Sequence, residues 1–281
     1  CATPQAMTVV ELFDKTADRY WSETNWGMTA IRTSQEIVSV VGVKCLASQI
    51  DDNLVDDLIA FYKRKGNSNG TINKKLSVLS KACQFGFKRG WLKTKPNIEW
   101  LKEGKGRIRF VSEDEEHMMW RLYKQMGMLD ELDTFMFLID TGMRVGELHN
   151  VQLSDLNGDR LTIWKTKNGQ PRTVVLTRRA KEIFLRREGD LSMTPHKVRY
   201  SWDRVKCAMG LEHDAQFVPH CLRHTCASRL VQRGVPLLVV KEWLGHNDIK
   251  MTLRYSHLCP SNLEDAVKVL EPVSNVTKLV A

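Results

Sequence analysis

Apolar residues recur along most of this chain at spacings of three and four, the repeat that lines one face of an α-helix. Ile72, Leu76, Leu79 and Cys83 step by four, three and four, and form the buried stripe of a helix predicted over 71–89. At about 100° per residue, Lys74, Lys81 and Lys88 fall nearly opposite that stripe. Earlier in the chain, Val9, Leu12, Phe13, Ala17 and Tyr20 mark a helix capped by Thr8. A tryptophan-bearing segment and a loop near Gly27 are expected to follow. A further helix, 51–65, stops at the polar run Gly66-Asn67-Ser68-Asn69-Gly70. The first hundred residues therefore read as helical.

A glycine- and lysine-containing connector over 101–109 sets this part off and predicts two domains, 1–105 and 106–281. Ser112 followed by Glu115 has the form of a capping box. It predicts a helix over 112–126, with others over 130–141 and from near Arg144. The period then changes. Two short strands, 160–165 and 171–176, are expected to join at Asn168-Gly169 in a hairpin. Helices resume over 177–188, 195–209, 219–232, 236–244 and 248–256. Gly234 and Gly245 stand where C-terminal caps belong, and Pro236 suits a first helical turn. The fold class is mainly α with a small β-hairpin or sheet (α+β). In the tail, 262–270 can form a short helix, and Val276, Leu279 and Val280 are apolar beyond it.

Charge adds direction to this picture. Over the 281 residues, 42 Lys and Arg face 33 Asp and Glu, a formal net charge of +9. The excess is local: 63–98 holds ten basic residues and no acidic one, whereas a solvated helix face normally mixes signs. A polyanionic partner, nucleic acid before membrane, follows from that distribution. Lys74, Lys75, Lys81, Lys88 and Arg89 are the candidate DNA contacts. The seven cysteines contain no C-x-x-C pair, which reads as reduced thiols in a cytoplasmic protein. No apolar run has the length of a membrane span, and no signal peptide is visible. Because the chain opens on Cys1, an additional N-terminal module is expected in the full protein.

The chemistry-bearing residues cluster in three places. Thr141-Gly-Met-Arg144-Val-Gly-Glu147-Leu148 comes first, His220-Cys-Leu-Arg223-His224-Thr225 second. Leu244-Gly-His246 follows, with Tyr255 nine residues after that histidine. Two arginines, two histidines, a lysine between Arg144 and His220, and a tyrosine are what attack on a phosphodiester by a tyrosine hydroxyl requires. A phenol with a pKa near 10 is a poor nucleophile unless cations and a base surround it. Guanidinium forks clamp non-bridging phosphate oxygens, and a lysine or histidine supplies the leaving oxygen's proton. His220 and Arg223, three apart, share a helix face; His224 is out of step with them and reads as a buried structural histidine. His213, His220, Cys221, His224 and Cys226 are crowded, yet the paired spacing of structural zinc sites is absent, so no metal is expected. Nor does a P-loop, a paired-carboxylate metal site or a Ser-His-Asp order stand out.

In these three motifs, and more loosely in the 71–91 helix, the chain resembles the tyrosine recombinases, the phage-integrase family of DNA strand-exchange enzymes. The resemblance implies a helical SAM-like core-binding domain followed by the family's catalytic domain, together a C-shaped clamp with Lys74, Lys81 and Lys88 near its inner surface. It implies that Arg144 and Arg223 bind the scissile phosphate and that His220 and His246 assist with phosphate contacts and proton handling. Tyr255 would form the 3′-phosphotyrosyl bond. A hairpin lysine would protonate the leaving 5′-oxygen, with Lys167 the best fit and Lys165 the alternate. Glu147 would support the site. Exchange of one phosphoester for another needs no nucleotide cofactor. The implied partners are double-stranded DNA, a homotetramer on two DNA sites and DNA-bending accessory proteins, in a bacterial cytoplasm. The resemblance also suggests that the tail docks on a neighbouring protomer and that the reaction inserts or excises a mobile element. The rivals are a type IB topoisomerase, which the compact catalytic half and apolar tail disfavour, and a non-catalytic DNA-binding protein.

Overall fold

The computed structural model describes residues 7–21, 25–104, 108–166, 169–259, 267 and 270. The chain divides into two compact units, Cys1–Gly106 and Arg107–Ala281. Among the described residues, no helix is long and apolar enough to cross a membrane.

Among the described residues, the first unit holds four α-helices, α1 (Val9–Tyr20), α2 (Asn25–Val41), α3 (Asp52–Arg64) and α4 (Asn69–Lys88). Thr8 caps α1 in a capping box with Glu11, and Asp51 caps α3. The predicted stripe on α4 is buried: Ile72, Leu76, Leu79 and Cys83 meet Leu12, Phe13, Ile37, Leu58 and Tyr62 in one core. Two expectations are corrected here. Gly27 lies inside α2 and not in a loop; a Cβ there would stand 1.7 Å from the Trp21 carbonyl oxygen, so close approach and not a turn explains the glycine. Helix α4 starts two residues before Thr71 because Ser68 accepts a hydrogen bond from the Thr71 N–H and caps it.

The second unit is built from α5 (Glu113–Gln125), α6 (Leu129–Thr141), α7 (Arg178–Arg186), α8 (Pro195–Ala208), α9 (Cys221–Gln232), α10 (Leu237–Leu244) and α11 (Lys250–Leu253). A three-stranded antiparallel sheet, β1 (Leu156–Asn157), β2 (Arg160–Ile163) and β3 (Arg172–Val175), precedes α7. The molecule is therefore mostly helical with one small sheet. Ser112 and Glu115 form the expected capping box of α5. Helix α6 packs against α7 and α9, and its Phe135, Phe137 and Leu138 share a core with Leu161, Ile163, Val174, Phe184, Trp202 and Leu222.

The sheet and the region after Arg144 differ from expectation. β1 was not foreseen, because two residues carry no readable alternation. β2 and β3 pair from Arg160↔Val175 to Ile163↔Arg172, and end short of the predicted limits. Beyond them, the positive-φ Gly169 donates its N–H to the Thr166 carbonyl, 3.0 Å. Lys167 and Asn168 lie outside the described residues, as does most of the predicted tail helix. Instead of an α-helix, a 3-10 turn, Val145–Asn150, follows Arg144. The predicted 248–256 helix is broken into α11 and a 3-10 turn, Ser256–Leu258, with Tyr255 at the joint.

Candidate active site

Glycines at two helix ends position the site. Helix α6 ends at Gly142, whose φ of 65° is left-handed, and a Cβ there would stand 2.9 Å from Leu244 Cδ2 and 3.0 Å from Cys226 Sγ. That ending frees the Gly142 carbonyl and brings Arg144 to the start of the 3-10 turn two residues on. Gly245 ends α10 in the same way (φ 63°), and a Cβ would meet Arg172 Cδ at 2.6 Å. His246 follows it directly.

Arg144, His220, Arg223, His246 and Tyr255 line one cleft of about 500 Å³, so five of the six predicted catalytic residues converge. The same cleft is lined by His224, Lys250, Met251 and Arg254 and, among the described residues, by no carboxylate. Lys167, the sixth, lies outside the described residues. Lys165 is exposed after β2.

Glu147 sits behind the cleft. Its carboxylate accepts from the Arg144 backbone N–H and Nη1, each at 2.9 Å, and from Arg172 Nη1 and Nη2 at 2.9 and 2.7 Å. Burial opposes its charge, but the fork from Arg172 and the bonds from Arg144 outweigh that and hold its pKa at about 2. Arg172 had not been singled out from the sequence. It shares the inward parity of β3 with buried Val174, and that period-two position of a charged residue was the readable signal.

Arg223 is 3% exposed and, among the described residues, has no carboxylate partner. Its Nη1 donates to the Gly142 carbonyl at 2.6 Å and its Nη2 to the Leu244 carbonyl, the two helix ends just described. Burial, and then the charges of Arg144 and Arg172, lower its pKa to about 9. A buried cation held by carbonyl dipoles beside two more guanidinium groups makes this part of the cleft strongly electropositive.

The imidazoles differ. His220 caps α9 at the cleft mouth, exposed, its ring edge-on to His224 at 4.9 Å. His246 is 7% exposed, and its Nδ1 engages Thr252 Oγ1 at 2.8 Å, which leaves Nε2 to meet a ligand. Burial and then Arg223 lower its pKa to about 4. His224 was expected to be a structural histidine. It is only half-buried, and its Nδ1 lies 2.6 Å from Tyr255 Oη. Burial and then His220 lower its pKa to about 4. Tyr255 is 2% exposed, and burial raises its pKa to about 12 despite Arg254 and Arg223. At neutral pH the phenol therefore keeps its proton beside a neutral imidazole, and in the tautomer protonated at Nε2 the phenol donates to His224 Nδ1. Helical spacing could not reveal this pair, since Tyr255 reaches His224 from another segment.

The predicted DNA contacts all belong to α4 or its end. Lys74, Lys88 and Arg89 are exposed. Lys75 is bonded to Glu36 at 2.6 Å and lies over the Tyr62 ring, while Lys81 lies 4.0 Å from the Tyr20 ring centroid. Among the described residues, no group of three or more His, Cys, Asp or Glu is placed to hold a metal ion.

Residues 109–261 match the Phage integrase family. The integrase of Escherichia phage 186 is 33% identical over 175 residues, 58% of this chain and 51% of that protein. With Haemophilus phage HP1 integrase the match covers 39% of the relative, so the chain spans about half or less of these two phage proteins. The tyrosine recombinase XerC of Bacillus licheniformis is 30% identical over 263 residues, 82% of this chain and 84% of that one. The fold is also that of the Tn1549 transposon integrase solved with a circular intermediate DNA: TM-score 0.77, 17% identity, 95% of this chain and 99% of that chain. A lambda integrase dimer bound to a COC′ core site gives a TM-score of 0.72 at 18% identity, covering 89% and 77%. Matched over more than half its length, with the family's arginine, histidine and tyrosine motifs gathered at one cleft, the chain belongs to the phage integrase family of tyrosine recombinases.

Proposed function

We propose that the chain cleaves and rejoins duplex DNA as a site-specific recombinase that integrates or excises a mobile element. Tyr255 attacks the scissile phosphodiester, forming a 3′-phosphotyrosyl bond and releasing a 5′-hydroxyl. Arg144 and Arg223 bind the non-bridging oxygens, with His220 and His246 completing the phosphate contacts. Lys167 protonates the leaving 5′-oxygen, and Lys165 is its alternate. Glu147 fixes Arg144. The bond energy stays in the phosphotyrosine, so rejoining needs no nucleotide cofactor. The first unit is the DNA-binding domain, with Lys74, Lys88 and Arg89 on phosphates. Strand exchange uses four such chains on two DNA sites.

One observation carries this reading: a buried tyrosine hydroxyl opens on a cleft lined by cations and imidazoles and, among the described residues, by no carboxylate. That lining suits an anion under attack, and two guanidinium groups fit a phosphate's oxygens. The test is capture of a covalent adduct from nicked duplexes with a randomised core. Wild-type protein should yield a DNA adduct that maps to Tyr255, and Tyr255→Phe should yield none. An adduct on another residue, or one that persists in Tyr255→Phe, ends the assignment.

A further inference from the structure

We infer that His224 is the proton acceptor for Tyr255 in the cleavage step, an inference that rests on the recombinase reading. The phenol and the imidazole are in direct contact, Oη to Nδ1 at 2.6 Å, among the shortest side-chain contacts lining the cleft. The two rings lie 5.9 Å apart between centroids, so the bond joins ring edges and not stacked faces. His224 comes directly after Arg223 on α9, so one helix presents both the phosphate-binding guanidinium and the base.

The step balances. The Oη–H bond breaks and its proton passes to Nδ1, while Oη forms the bond to phosphorus and the P–O5′ bond breaks. The 5′-oxygen takes a separate proton from the hairpin lysine. In rejoining, the 5′-hydroxyl attacks phosphorus and its proton passes back to the hairpin lysine, while the P–Oη bond breaks and Nδ1 returns its proton to the tyrosine oxygen.

The groups around His224 explain when the proton moves. Burial, then His220, Arg254 and Arg223, all disfavour an imidazolium there, so the ring is neutral and its Nε2-protonated tautomer presents Nδ1 to the phenol as an acceptor. A phosphate bound by Arg144 and Arg223 would offset those charges and raise the proton affinity of His224 at the moment of attack. Tyr255 would thus stay protonated and unreactive until DNA is in place.

The experiment compares His224→Ala and His224→Gln with wild type on the nicked duplex recovered from the adduct capture. Each protein is also tested on that duplex with sulfur replacing the 5′ bridging oxygen, a leaving group that needs no proton. Glutamine can accept the tyrosine's hydrogen bond but cannot take its proton. Both variants are expected to form adduct at least about 100-fold more slowly on both substrates. His224→Gln cleaving at the wild-type rate overturns the inference, because a hydrogen bond alone would then suffice. Recovery of either variant on the sulfur substrate overturns it too, by moving the role of His224 to the leaving group. Thermal melting of the variants checks folding, and if the alanine variant unfolds, the glutamine variant decides. Failure of wild type to form any adduct is a separate result that removes the recombinase reading itself.

Discussion

Glu147 is the residue on which the charge balance of the site turns. Among the described residues it is the only carboxylate bonded to Arg144 or Arg172, and it is itself 4% exposed. Removing one partner of a buried charged cluster leaves the others uncompensated, so Glu147→Gln should destabilise the protein by about 3 kcal/mol. The pH dependence has a definite sign. With a folded pKa of about 2 against an ordinary 4.5, the contribution is complete above about pH 4.5 and is lost as pH falls through 2. Urea midpoints of wild type and Glu147→Gln should differ most at neutral pH and converge below about pH 4.5, with constant separation down to pH 2 as the contrary result. Residue types were legible in the sequence at this scale: Arg144, Glu147, Arg223, His246 and Tyr255 were all named from motif and spacing. Arg172 was not, and His224 was read as a structural residue, because each acts through a partner far away in sequence, Glu147 at 25 residues and Tyr255 at 31.

At the scale of elements, caps and apolar stripes were the readable signals. Thr8 and Ser112 cap the helices they were expected to cap, since a side chain bonding its own first turn is a local event. What failed was also local. Helix α2 was hidden because its apolar residues are interleaved with glycine, serine and threonine, and Gly27 passed for a loop signal. The helix expected after Arg144 became a 3-10 turn tied to Glu147 by bonds to the Arg144 backbone and side chain. Gly142 is where element geometry and site meet. Gly142→Ala would impose a side chain on left-handed backbone and drive it against Leu244 and Cys226, for a loss of about 2–3 kcal/mol. Because its carbonyl receives Arg223, adduct formation should fall further than melting temperature alone predicts. An alanine variant that melts and cleaves as wild type would show that this helix end does not set the position of Arg223.

For the whole molecule, net charge predicts a polyanionic partner, and the fold sorts which cations can serve it. Lys75 and Lys81 are engaged with Glu36, Tyr62 and Tyr20, whereas Lys74 and Lys88 are exposed. Replacing both Lys74 and Lys88 with alanine should flatten the slope of log affinity against log salt for duplex DNA by about 1.8. Lys75→Ala should mainly lower the melting temperature, and an equal loss of slope from it would contradict this division. The sequence by itself determined the helical character, the order of the motifs and the family they signal, because periodicity, capping and residue chemistry are encoded within a few positions of each other. Only the tertiary structure decided that Glu147 holds Arg172 as well as Arg144, that Arg223 rests on the carbonyls of two helix ends, and that Tyr255 bonds His224. Those contacts join segments dozens of residues apart, and packing selects them where no local spacing can.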